Sequence, residues 1–136
     1  MKIGIGSDHR GFELKEWIKK NFNQIEFVDF GTDNKEERVD YPIFAQKVCK
    51  AILDGEVEQG IVICGSGVGV SIAANRFGKI YAALCTSPEI AKIAKRHDCA
   101  NVLALASDFT TKDMVLQIVK AWLEEGFEGG RYEERL

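Results

Sequence analysis

Ile61-Val62-Ile63-Cys64-Gly65-Ser66-Gly67-Val68-Gly69 decides how this chain is read. Three β-branched residues favour an extended strand. Glycines at 65, 67 and 69 favour a tight loop, and Val70-Ser71-Ile72-Ala73-Ala74 after them favours a helix start. A strand that ends in such a loop aims backbone N–H groups and the positive end of a helix dipole at one point. Cys64 stands there, where the field favours a thiolate. One short segment thus offers both a proton acceptor and a cradle for a developing oxyanion, although a buried core thiol is the plain alternative.

The same strand–loop–helix unit repeats on both sides of this segment. Strands are expected over residues 3–6, 25–30, 61–64, 80–84 and 101–106. The first helix carries Leu14, Trp17, Ile18 and Phe22 on one face. The second opens at Tyr41-Pro42, with proline in its first turn, repeats Phe44, Val48 and Ile52 at intervals of four, and stops at Asp54-Gly55. The third begins at Val70. Ser87 caps the fourth and Thr110 or Thr111 the fifth, which bears Val115, Ile118, Val119 and Trp122. Five such repeats predict an α/β fold, a Rossmann-like three-layer sandwich with a five-stranded parallel sheet and helices on both faces. Ligands of these sheets bind at the carboxyl ends of the strands. That edge collects the loops starting at Ser7, Gly31, Gly65, Cys85 and Ser107.

The 136 residues, 46% of them hydrophobic, suit a single domain over residues 1–136 with a real core. A net charge of −3, with Lys and Arg spread along the chain, argues against nucleic acid as a partner. No apolar run nears the ~20 residues of a membrane span, and no signal-peptide pattern is seen, so a cytoplasmic setting without membrane partners is expected. Cysteines 49, 64, 85 and 99 form no CxxC pair and no Cys/His ligand spacing, so no metal is expected. Gly4 and Gly6 fail GxGxxG, because the next glycine is Gly11. Gly6 to Gly11 fails the P-loop pattern, because Phe12-Glu13 follows.

Both histidines fall near expected loops. His9 follows strand one beside Asp8, and His97 precedes strand five. Each reads as a functional imidazole or as a surface or satisfied core residue. Arg131 and Arg135, at i and i+4, share a helix face able to grip a phosphate, or belong to a solvated tail. Tyr41 is a hydrogen-bonding pocket wall or a helix-start residue packing inward.

Residues 6–15, with Gly6-Ser7-Asp8-His9 and Gly11-Phe12-Glu13-Leu14-Lys15, resemble the opening of the type B ribose-5-phosphate isomerases. Val39-Asp40-Tyr41-Pro42, the central segment 63–76, Arg96-His97, Asn101-Val102-Leu103 and Glu128-Gly129-Gly130-Arg131 extend the likeness over nearly the whole chain. The resemblance implies an aldose–ketose isomerase that interconverts ribose 5-phosphate and ribulose 5-phosphate through an enediolate, with no cofactor. It implies Cys64 as the base, Ser66 as a hydroxyl near the sugar, and the amides from Gly65 through Gly67 and Gly69 to Ser71 as the anion hole. It further implies His97, with Asp8 and Tyr41, for ring opening, and His9, Arg131 and Arg135 for the phosphate. A homodimer or tetramer with a shared active site is implied as well.

Four positions depart from that pattern. Asp98 and Cys99 stand where asparagine and a polar residue are usual, and Asp108 where an arginine often follows serine. Arg10 stands where a small neutral residue is usual. Carboxylates near an anionic substrate repel it unless screened. Asp98 is expected at the substrate, and Arg10 is expected either to replace the missing arginine or to pair with one of these aspartates. Alternatives are the same chemistry on allose 6-phosphate or galactose 6-phosphate, and a non-catalytic sugar-phosphate binding module.

Overall fold

The computed structural model describes all residues, Met1–Leu136. Five strands, β1 (Lys2–Ser7), β2 (Glu26–Asp29), β3 (Gln59–Cys64), β4 (Ala82–Leu84) and β5 (Val102–Ala106), form one sheet in the order β2-β1-β3-β5-β4. Every pairing is parallel. The helices are α1 (Phe12–Asn21), α2 (Tyr41–Leu53), α3 (Val68–Asn75), α4 (Pro88–Asp98) and α5 (Lys112–Glu124). None is long and apolar enough to cross a membrane.

Alternation along the strands divides the core in two. Ile3, Ile5, Ile61, Ile63, Leu103 and Leu105 point to one face, where Leu14 and Ile18 of α1, Ala91 and Ala94 of α4, and Val115, Ile118 and Trp122 of α5 cover them. Val62, Cys64, Val102 and Ala104 point to the other, under Ala45 and Val48 of α2 and Val70 and Ala74 of α3. The expected helices on both faces are therefore present, three on one side and two on the other.

Gly4 and Gly6, which no nucleotide motif accounts for, have a packing role beneath α2. A Cβ at Gly4 would lie 3.5 Å from Val48 Cγ1, and one at Gly6 would lie 3.2 Å from Val48 Cγ2. At Gly60 of β3 it would stand only 2.4 Å from Val48 Cγ1. The bare backbone lets α2 settle close on the sheet.

Local signals hold at several ends. Ser87 Oγ accepts from the Ile90 N–H at 3.3 Å, and Thr111, rather than Thr110, caps α5 by accepting from Met114 N–H at 3.2 Å. Element ends shift by one or two residues from expectation, and two of these shifts have a local cause. Helix α3 starts two residues early, at Val68, because Gly67 makes the turn alone. Strand β4 is shorter, because the Tyr81 N–H is taken by the Asn101 side chain at 2.8 Å instead of joining the ladder.

Strand β2 is tied to α1 by charge. Asp29 Oδ2 accepts from Lys15 Nζ at 2.6 Å and from Lys19 Nζ at 2.7 Å, and the Lys15 side chain is 1% exposed. Burial pushes the Asp29 carboxyl up, but the two lysines and the Gly31 N–H outweigh it and hold it below its ordinary value. A depressed folded-state value contributes stability above the unfolded value, lost as pH falls through the folded one. Asp29→Asn removes the closer carboxylate from the buried Lys15, leaving it only Glu16 at 3.2 Å. It should cost about 2–3 kcal/mol at neutral pH in urea unfolding, somewhat discounted for partial exposure. The gap to the parent should narrow below about pH 3.9.

Candidate active site

The loops after β1, β3 and β5 meet at the carboxyl edge of the sheet because these strands are neighbours in the order β1-β3-β5. After β1, Asp8 is 6% exposed, and its Oδ1 accepts the Gly11 N–H at 3.1 Å, capping a 3₁₀ turn over His9–Gly11. After β3, Gly67 turns the chain with φ of 75°. A Cβ there would sit 2.4 Å from Leu84 Cδ1, so both conformation and space require glycine. After β5, Ser107 donates N–H and Oγ–H to the Cys64 carbonyl at 2.9 and 3.2 Å, and the Asp108 N–H reaches the Gly65 carbonyl at 3.0 Å. The β3 loop is thereby fixed on its β5 side.

Cys64 ends β3 with its sulfur accepting the Gly67 N–H at 3.2 Å, a donor that stabilises negative charge on sulfur. Burial pushes the thiols of Cys49 and Cys85 up to about 11. Around Cys64 the amides divide into two sets. Val68 N–H goes to Ser66 Oγ at 3.2 Å and Ser71 N–H to the Gly67 carbonyl at 3.2 Å, so the amides of Gly67, Val68 and Ser71 are engaged. Those of Gly65, Ser66, Gly69 and Val70 have no protein acceptor. Unpaired amides beside a buried sulfur have the chemistry to receive an anion.

A cleft of about 550 Å³ opens above this loop, lined by Asp8, Arg10, Tyr41, Cys64, Gly65, Ser66, Gly69 and Asp108, with Val68, Ile72 and Phe109 on its apolar side. Tyr41, the first residue of α2, lays its ring over Gly69, where a Cβ would come within 2.5 Å of Cζ. A second cleft of about 530 Å³ shares Asp8, Arg10 and Tyr41, and adds His9, Arg38, Val39 and Asp40. His9 Nδ1 accepts the Val39 N–H at 3.3 Å, which leaves Nε2–H as a donor. Arg10 pairs with Asp108 across the first cleft.

Not every expected residue reaches this edge within one chain. Helix α4 runs from the end of β4 back to the start of β5, so His97 and Asp98, in its last turn, lie at the opposite, amino edge of the sheet. Asp98 is exposed there, away from Cys64. His97 stacks on Tyr132 with centroids 4.2 Å apart, and its Nε2 is 3.6 Å from Glu128. Arg131 and Arg135 lie in a 3₁₀ helix, Gly130–Arg135, rather than on an α-helical face. Their guanidinium groups stand 4.9 and 5.4 Å from the Tyr132 ring centroid. His97, Tyr132, Arg131 and Arg135 thus form a second cluster. Among cleft residues, Arg38 and Phe109 carried no signal in the sequence: Arg38 lies in a charged loop, and Phe109, 81% exposed, is an isolated aromatic. No three His, Cys, Asp or Glu side chains converge as a metal-binding set.

The profile of the Ribose/Galactose Isomerase family matches residues 3–136, and the chain belongs to that family. It is 44% identical to ribose-5-phosphate isomerase B of Escherichia coli, over 99% of this chain and 91% of the relative. The ribose-5-phosphate isomerase B of Clostridium thermocellum superposes with a TM-score of 0.96 at 47% identity, covering 99% of this chain and 92% of that one. The Mycoplasma genitalium enzyme, solved with bound ribulose-5-phosphate, superposes at 0.92 with 42% identity, covering 98% and 90%.

The turn at Gly67 is the most demanding position of the site. Gly67→Ala should lower stability by about 2–4 kcal/mol in urea unfolding, combining a left-handed backbone with overpacking against Leu84. A shift within experimental error would show that the loop has another way to turn.

Proposed function

We propose that this chain interconverts ribose 5-phosphate and ribulose 5-phosphate, with Cys64 as the base. One observation carries the reading: a sulfur that already accepts an N–H opens onto a cleft lined by Gly65, Ser66 and Gly69, whose amides lack acceptors. That pairing suits removal of a proton next to a carbonyl, where negative charge moves from carbon to oxygen. The bound ribulose-5-phosphate of the Mycoplasma genitalium relative supports the choice of substrate.

On this reading the Cys64 thiolate takes the C2 proton of the open-chain aldose, and the C2–H electron pair forms the enediolate C=C bond. The C1 carbonyl oxygen becomes the oxyanion, and the amides of Gly65, Ser66, Gly69 and Val70 receive it. Each such donor contributes roughly 10²–10³ in rate where its loss has been measured elsewhere. The thiol then delivers the proton to C1, the C2 hydroxyl proton passes to the C1 oxyanion, and the C2 carbonyl forms as the thiolate is restored. Ser66 Oγ stands near the sugar chain. Tyr41 and Asp8 face the opposite wall, and His9 Nε2–H points to the phosphate.

His97, Arg131 and Arg135 act from a second copy of the chain. Their distance from Cys64 within one chain, and the exposed apolar rim of Val68, Ile72 and Phe109, support a dimer whose cleft lies between copies. His97 of the partner subunit then moves the ring-opening proton, while the partner subunit's Arg131 and Arg135 close on the phosphate. Asp98 accompanies His97 into that shared cleft. The four free cysteines suit a reducing, cytoplasmic setting.

Cys64→Ser should lower kcat for ribose 5-phosphate by about 10²–10⁴-fold with the fold intact by circular dichroism. Undiminished turnover would remove Cys64 as the base, and a parent enzyme inert toward ribose 5-phosphate would remove the substrate. The shared site has its own test. Cys64→Ser and His97→Asn proteins, each nearly inactive, should on unfolding and refolding together regain about a quarter of parental activity, since half the dimers then carry one intact site. No recovery would place both residues in one chain's site.

A further inference from the structure

Arg10 Nη2 and Asp108 Oδ2 form an ion pair that bridges the loops after β1 and β5, over the β3 loop between them. The pair lies directly on Gly65. A Cβ there would stand 2.8 Å from Asp108 Oδ2, 2.9 Å from Arg10 Cζ and 3.0 Å from Arg10 Nη1. The two side chains are 59% and 32% exposed, and a pair so open to solvent contributes little to folding. Its effect is greater on the charge of the cleft. Of the residues lining the Cys64 cleft, Asp8 and Asp108 are carboxylates and Arg10 is the one cation. Arg10 also lines the adjoining cleft beside His9 and Arg38. It is thus the only cation common to the space above the sulfur and the space in front of the His9 imidazole. Asp108 occupies one guanidinium nitrogen, and the remaining N–H groups of the planar fork are open to a second acceptor.

We propose that Arg10 is a specificity-determining residue that donates to the phosphate of the substrate, with Asp108 as the residue that positions it. This rests on the phosphosugar reading of the cleft. The tether holds the guanidinium over Gly65, which lowers the entropy lost when the fork binds an anion. Asp108 is itself neutralised by the pairing, so a dianionic substrate meets no free carboxylate on that wall.

The test is a cycle of Arg10→Ala, Asp108→Ala and the double variant. The readouts are the affinity for inorganic phosphate by titration calorimetry and kcat and KM for ribose 5-phosphate. Arg10→Ala should weaken phosphate and raise KM by about ten- to a hundredfold, as expected for losing a charged hydrogen bond, with a far smaller change in kcat. Asp108→Ala should raise KM by less, again without a matching fall in kcat, and the double variant should remain as weak as Arg10→Ala. The proposal is overturned if the double variant regains parental phosphate affinity, because Arg10 would then only cancel the charge of Asp108. Unchanged phosphate affinity in Arg10→Ala overturns it too, and a fall in kcat as large as the rise in KM for Asp108→Ala removes its positioning role. Should the parent not turn over ribose 5-phosphate, the phosphate titrations alone decide about Arg10, so the two readings fail separately.

Discussion

The seating of α2 on the bare backbone of β1 and β3 is the constraint from which the cleft follows. Val48 fits against positions 4, 6 and 60, where glycine leaves room. A side chain at Gly60 would displace Val48, and the amino end of the helix would shift with it. That end carries Tyr41, whose ring lies against Gly69 and forms one wall of the cleft. A packing contact in the middle of the sheet thus governs the width of the opening above Cys64, because a helix transmits displacement along its axis as a rigid body.

The second constraint is the lacing of neighbouring loops. Ser107 and Asp108 donate to the carbonyls of Cys64 and Gly65, while Asp8 caps its own 3₁₀ turn next door. These bonds consume polar groups that a loop would otherwise offer to water, and they leave four amides of the glycine segment free. The site is therefore defined as much by which donors are occupied as by which remain. Gly67 shows the division clearly: its amide serves the sulfur, and its left-handed backbone turns the chain into α3, whose Gly69 and Val70 amides stay without acceptors.

Much of this was legible from residue order alone. Alternating strands and helices, the caps at Ser87 and Thr111, proline at the start of α2, and the glycine segment beside Cys64 are local signals, and local chemistry decides them. Most of what stayed hidden depends on residues distant in sequence. The order that puts β5 between β3 and β4 brings Asp108 to Gly65 and Arg10, a meeting of positions 98 apart along the chain. Pairing between Arg10 and an aspartate was one of two expectations, and geometry selects Asp108. The short β4 reflects an asparagine side chain from another loop taking a ladder donor. The 3₁₀ form of Gly130–Arg135 keeps Arg131 and Arg135 around one tyrosine ring, which the i and i+4 spacing did not reveal.

Placing Cys64 and His97 at opposite ends of the sheet has a consequence for assembly. Strand β3, six residues long, separates the two edges by about 20 Å, too far for one chain to fold across. In the dimer proposed for this chain, the two copies lie antiparallel across a two-fold axis, so that the carboxyl edge of each sheet meets the amino edge of the other. Such symmetry completes both clefts in the same event. Substrate held between copies then acts as a bond between them, so the metabolite that the protein consumes also holds the pair together.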